Sequence, residues 1–258
     1  MIIKAMTSDK QVLNSSLDKV MLINDLCKSF GDRHILINFN LELIRGESVV
    51  VLGKSGSGKS VLIKCIIGLL RPEKGSIKIF GKNIPDLNHD ELDQVRAKIG
   101  FLFQSNALYD SMTVRENLEF PLRRHWIEVS QEEVDKMVED ALEYVGLRHT
   151  IDMMPVELSG GMRKRVALAR TLILKPEIIL YDEPTTGLDT ITSKEIIELM
   201  IGIQEKYNTS SLIISHDMNC VRMASDRVVM LMDGRCYAND TYENLIKSED
   251  PKIKMFFE

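Results

Sequence analysis

Eight consecutive residues, Gly53-Lys54-Ser55-Gly56-Ser57-Gly58-Lys59-Ser60, constrain this chain more than any other part of it. They fit the pattern G-x-x-x-x-G-K-[ST]. Just before the loop, residues 47–52 read Glu-Ser-Val-Val-Val-Leu, a β-branched run that predicts a buried parallel strand. Just after it, residues 59–70 predict a helix stopped by Arg71-Pro72. Glycines let such a loop turn tightly and aim several backbone N–H groups at one point, and the following helix adds its positive end. Phosphate oxygens satisfy that arrangement. Lys59 is then placed to reach the β- and γ-phosphates of a nucleotide, and the Ser60 hydroxyl to sit on Mg²⁺. The plain alternative is a glycine-rich turn with no ligand; the flanking strand and helix weigh against it.

The rest of the chain is organised around that unit. Residues 20–26 and 39–44 predict strands broken by the turn Gly31-Asp32, and further strands are expected at 76–80, 99–103, 178–181, 211–214 and 227–232. Ser130 with Glu133 forms a capping box for a helix to about residue 145, and helical periodicity resumes over 162–174. Strands alternating with helices give an α/β fold with a mainly parallel sheet. Residues 1–19 read as a loose leader and 20–258 as one domain, with a helical stretch at about 105–158 inserted between sheet elements.

Composition narrows the role. The formal net charge of −5 leaves no broad basic surplus for non-specific binding to nucleic acid. No apolar run reaches the roughly 18–20 residues that a membrane-spanning helix needs. Cys27, Cys65, Cys220 and Cys236 are scattered and read as reduced thiols of a cytosolic protein. A membrane role would have to come through partners.

A second constellation sits at the end of Ile178-Ile179-Leu180-Tyr181-Asp182-Glu183. An apolar strand that finishes in two carboxylates suits a waiting cation and a reaction. Adjacent strand residues face opposite sides, so Asp182 is the candidate for holding Mg²⁺ and Glu183 for polarising an attacking water as general base. The bland alternative is that both acids cap the turn before Pro184.

A third is Leu158-Ser159-Gly160-Gly161-Met162, which opens a helix beginning Arg163-Lys164-Arg165-Val166-Ala167-Leu168-Ala169-Arg170. Ser-Gly-Gly at a helix start offers a hydroxyl and unobstructed N–H groups to an anion; the basic residues could be only a solvated face. This segment resembles the signature of ABC-type ATPases. The resemblance implies a P-loop NTPase of the ABC kind, with a mainly parallel core sheet, a small antiparallel β subdomain and an inserted helical subdomain. It assigns Phe30, in Lys28-Ser29-Phe30-Gly31, to adenine stacking, and Gln104 to Mg²⁺, the attacking water and the membrane partner. Gly187-Leu188-Asp189 matches the segment that communicates across a dimer, and His216 the residue that contacts the γ-phosphate. It further implies that two copies pair head to tail, each ATP lying between the loop of one and Ser159, Gly160 and Gly161 of the other.

Most of these ATPases carry glutamine where this chain has Met162. Methionine there, with the run from Phe103-Gln104 through Leu108-Tyr109-Asp110-Ser111-Met112, the segment 117–122 followed by Arg123-Arg124-His125, and the ending at residues 250–257, resembles the ATPases that energise MCE-protein lipid transporters. These are the MlaF-type subunits of bacterial phospholipid transport and their chloroplast relatives. That resemblance implies a permease in the inner membrane, an MCE-domain lipid-binding partner, and a place on the cytoplasmic face. Leu108, Tyr109 and Met112 would line the groove that receives the permease, or else pack inside the helical insert. The alternatives are the ATPase of another importer or exporter, for amino acids or peptides, and a soluble ABC protein that moves nothing.

Overall fold

The chain enters the fold through a long hairpin, β1 (Lys19–Phe30) and β2 (Arg33–Ile44), turned at Gly31-Asp32. The computed structural model describes residues 18–124 and 129–257. Residues 1–17 of the expected leader and His125 lie outside these. The leader is shorter than expected at its end: Lys19 opens β1, and Asp18 holds Arg45 at 2.6 Å. Both strands exceed the predicted 20–26 and 39–44 because register shifts interrupt their alternation. Asp25 and Asn38, with φ of 46° and 48°, mark the irregularities.

Next comes β3 (Ser48–Leu52), buried at every position. Glu47, read as part of this strand, stays outside it, its carboxylate accepting from the Arg227 guanidinium at 2.7 Å. Helix α1 (Lys59–Ile66) stops four residues earlier than expected. Gly68 takes φ 71°, its N–H reaching the Cys65 carbonyl at 3.1 Å while the Leu69 N–H reaches that of Lys64 at 2.8 Å. That pair of bonds is a Schellman close, and glycine ends the helix before Pro72 can.

β4 (Lys74–Ile79) and the short β5 (Lys82–Asn83) complete an antiparallel sheet in the order β2-β1-β4-β5. Helix α2 (His89–Arg96) begins with a capping box between Asn88 and Glu91, a signal visible in the sequence but not exploited. After β6 (Ile99–Leu102) come α3 (Val114–Arg124), α4 (Gln131–Tyr144) and α5 (Gly160–Leu172). The Ser130–Glu133 capping box starts α4 as expected. Ser159 caps α5, which starts two residues before the predicted 162 because glycines supply its first turn.

The remainder is β7 (Ile178–Asp182), α6 (Thr190–Tyr207), β8 (Ser210–Ser215), α7 (Met218–Ala224), β9 (Arg227–Met232), β10 (Arg235–Asp240), α8 (Tyr242–Leu245) and α9 (Pro251–Phe257). The main sheet runs β10-β9-β3-β8-β7-β6, parallel throughout except for β10.

Alternation explains the layers. Val49, Val51, Ile178, Leu180, Leu212 and Ile214 face the side where α1 and the antiparallel sheet pack. Val50, Leu52, Ile179, Tyr181 and Ile213 face the other, against α5, α6 and α7. A third apolar cluster joins Leu118 of α3 and Leu142 of α4 to Val166, Ala169 and Ile173 along α5. One helix, α5, therefore belongs both to the sheet layer and to the helices between β6 and β7.

Candidate nucleotide site

Parallel strands end on the same edge of their sheet, and the register of this sheet puts three candidate segments side by side. Leu52 lies opposite Ser215, and Asp182 opposite Ile214. The glycine loop, the Asp182-Glu183 pair and His216 therefore leave the sheet together, at the carboxyl ends of β3, β7 and β8.

The loop is shaped by its glycines. A Cβ at Gly53 would lie 2.7 Å from the Leu231 carbonyl and 2.6 Å from Ser57 Oγ, so only glycine fits. Gly58 takes φ 107°, whereas Gly56, at φ 77°, faces open space. Among the described residues every other α-helix carries a side-chain cap, but α1 starts at Gly58 with none. Its first N–H groups are left for a ligand at the loop.

Lys59, 8% exposed, folds back into the loop and donates to the Gly53 carbonyl at 2.6 Å and the Lys54 carbonyl at 3.2 Å. Its ammonium is also 3.7 Å from Glu183 Oε1. The other carboxylate oxygen of Glu183 lies 2.7 Å from His216 Nδ1. Glu183 is buried, and its backbone adopts φ 49°, in the left-handed region. That turn aims its carboxylate between lysine and histidine. His216 remains 65% exposed, open to whatever enters the site.

Asp182 differs in kind. Its Oδ1 is buried without a hydrogen-bond partner. Burial, and after it the charge of Glu183, raise its pKa, while Lys59 and Lys164 oppose the rise. A carboxylate oxygen in that condition fits a cation, and the exposed Ser60 hydroxyl at the start of α1 is the matching donor set for a hard metal such as Mg²⁺. The alternative of a simple turn cap does not satisfy that oxygen. Phe30 ends β1 half-exposed, with the Lys28 ammonium 5.3 Å from the centre of its ring.

The family model described as "ABC transporter" matches residues 36–186. This chain belongs to the ABC transporter family. It is an ATP-binding cassette of the ATP-hydrolysing kind. It is 38% identical over 234 residues to the intermembrane phospholipid transport system ATP-binding protein MlaF of Haemophilus influenzae, covering 91% of this chain and 88% of that one. It is 41% identical to a mycobacterial relative (Mycobacterium tuberculosis) named "Probable ribonucleotide transport ATP-binding protein mkl", again over 91% of this chain. The cassette spans 65% of that relative's length. Among solved structures, a dimeric post-hydrolysis state of the cassette MJ0796 bound to ADP and Pi has a TM-score of 0.78 and 34% identity, covering 86% of this chain and 98% of that one.

In the signature segment the serine and the two glycines have different surroundings. Ser159 Oγ accepts from the Met162 N–H at 3.2 Å, and a Cβ at Gly160 would meet nothing within 4 Å. A Cβ at Gly161 would come 2.7 Å from Thr192 Cγ2. The two glycines thus differ: Gly161 lets α5 close on the start of α6, and Gly160 keeps a face clear. Asp189, in the segment expected to communicate across a dimer, caps α6 by accepting from the Ile191 and Thr192 N–H groups, each at 3.0 Å. The side chain of Met162 joins the apolar cluster of α3, α4 and α5, which accounts for an apolar residue at that position.

Two of the open alternatives are narrowed. The basic residues of α5 are not a solvated face. Arg163 donates to the Leu158 carbonyl at 2.6 Å, Arg165 pairs with Glu195, and Lys164 is buried at 2% exposure. The three side chains leave the helix in different directions and each meets a different element. Of the three residues read as lining a permease groove or else packing inside the helical insert, Leu108 is half-buried against two core clusters. Tyr109 is exposed with its ring 4.6 Å from that of Phe120, and Met112 is half-buried.

Asn117 is a structural residue of this region. It is fully buried, accepts from the Tyr109 N–H at 2.8 Å, and donates to the Tyr109, Met112 and Thr113 carbonyls. A buried amide that meets four main-chain groups fixes the loop after Gln104. Its only trace in the sequence is a polar residue on the apolar face of a helix.

Proposed function

We propose that this cassette is the motor subunit of a membrane lipid transporter, binding ATP between two copies of itself and driving a permease that moves phospholipid. The observation that carries the motor reading is the cluster at the strand ends, where Lys59, Glu183 and His216 converge beside the partnerless Asp182 Oδ1. Phe30 offers its ring to adenine, while the N–H groups of residues 53–60 and the Lys59 ammonium receive the phosphates. Ser60, Gln104 and Asp182 would hold Mg²⁺, which draws charge from the β- and γ-phosphate oxygens when bound. Glu183 accepts the proton of the attacking water, and His216, bonded to the same carboxylate, holds it in position. Ser159, Gly160 and Gly161 of the second copy close the far side, using the face that Gly160 leaves clear.

The lipid assignment is supported by the relative named for intermembrane phospholipid transport, of which this chain covers 88%, and by Met162 in the signature. On this reading the partners are an integral-membrane permease and an MCE-domain protein, and the cassette works at the cytoplasmic face of the inner membrane. Among the described residues no helix is long and apolar enough to cross a membrane, so attachment falls to the permease. Extraction of membranes in mild detergent, capture of this chain and identification of its companions test the assignment. A permease together with an MCE-domain protein supports it; a nucleotide or amino-acid permease in their place contradicts it.

A further inference from the structure

Helix α5 carries two cations that have turned away from solvent, and both grip the same five-residue segment. Lys164 Nζ donates to the Gln104 carbonyl at 3.0 Å and more weakly to that of Phe103 at 3.5 Å. Arg170 donates to the Asn106 carbonyl at 3.0 Å and to the Ala107 carbonyl at 2.8 Å. Asn106 and Ala107 both sit at positive φ, 65° and 49°; asparagine tolerates that state, whereas for alanine it is disfavoured. Lys164 bonds through main-chain oxygens, not through a carboxylate. A buried ammonium so placed costs desolvation, and a methionine of similar length would fill the space without that cost.

The same helix begins at Ser159, which the proposed dimer lends to the ATP of the second copy. Gln104 belongs to the ATP of its own copy. We propose that Lys164 is a positioning residue for hydrolysis: by holding the Gln104 peptide to α5, it makes the setting of Gln104 in one site depend on the seating of Ser159 in the other. Arg170 fixes the far end of the segment, so that residues 103–107 follow the helix as one piece. This inference rests on the two-copy reading above and adds to it a named link between the two sites.

The test is carried out on the captured transporter with Lys164→Met, Lys164→Arg and, alongside, Ser159→Arg. Lys164→Met should melt within a few degrees of the parent and bind ATP within about twofold of it. Its kcat should fall about tenfold with KM nearly unchanged, the scale of one lost charge-assisted hydrogen bond in the transition state. Lys164→Arg, which restores donors to the carbonyls, should recover most of that loss. Parental kcat in Lys164→Met overturns the proposal. So does an equal loss in both Lys164 variants with a falling melting temperature, since packing alone would then explain the site. Full turnover in Ser159→Arg would instead remove the two-copy reading, whatever the Lys164 variants do.

Discussion

Asp182 and Glu183 are neighbours in sequence with opposite local problems. Asp182 keeps an oxygen that nothing in the fold satisfies, whereas both oxygens of Glu183 face partners, Lys59 on one side and His216 on the other. The raised pKa of Asp182 means that ionising it weakens the nucleotide-free protein relative to an ordinary aspartate. The sign follows: stability from this group is greatest below its ordinary pKa and declines as pH rises through the elevated one. Asp182→Asn should therefore raise the melting temperature without nucleotide at pH 7 and remove the further rise that Mg²⁺ with ATP gives the parent; thermal melts with and without Mg-ATP check both halves. Glu183→Gln removes the base while leaving the shape. It should hold ATP as tightly as the parent and hydrolyse it at least about 100-fold more slowly in steady-state assays, the range for loss of a general base. The placement of these two acids at the end of a buried strand was legible in the sequence from an apolar run finishing in charge. Their difference in environment was not, because it depends on His216 and Lys59 arriving from other strands.

At the scale of single elements, the loop and α5 show how much of a motif is local. The glycines of the loop were readable, and the missing cap on α1 follows from them. In α5 the start was readable from Ser159 and two glycines, but the destinations of Arg163, Lys164, Arg165 and Arg170 were not. A charged residue on a helix reads as solvated unless one knows which elements pack around it, and those elements come from residues 103–107 and from α6. The end of α1 was misjudged for a different reason: Pro72 is the louder signal, yet Gly68 stops the helix first. The two signature glycines separate cleanly here. Gly161→Ala must displace Thr192, so it should lower the melting temperature by several degrees, as expected for overpacking of about 1–3 kcal/mol. Gly160→Ala has open space for its methyl group and should leave stability unchanged while reducing turnover. Calorimetry and ATPase assays on the same preparations distinguish the two.

The whole molecule is arranged so that one edge of a parallel sheet collects the chemistry while a helix rooted in that sheet reaches away from it. This layout was legible as strands alternating with helices around a glycine loop. The antiparallel hairpin was underestimated because its register shifts break the period, and the short elements after residue 233 carry too few residues for any period to show. Ser159 forms none of the contacts that join Lys59, Glu183 and His216; on the proposed reading, a second copy brings its own Ser159 to that cluster. The central claim is that ATP joins two copies, and sedimentation of Glu183→Gln with and without Mg-ATP tests it most directly. The account predicts a monomer that becomes a dimer on adding Mg-ATP, a shift abolished by also introducing Ser159→Arg. A Glu183→Gln protein that saturates with ATP and still sediments as a monomer would contradict it.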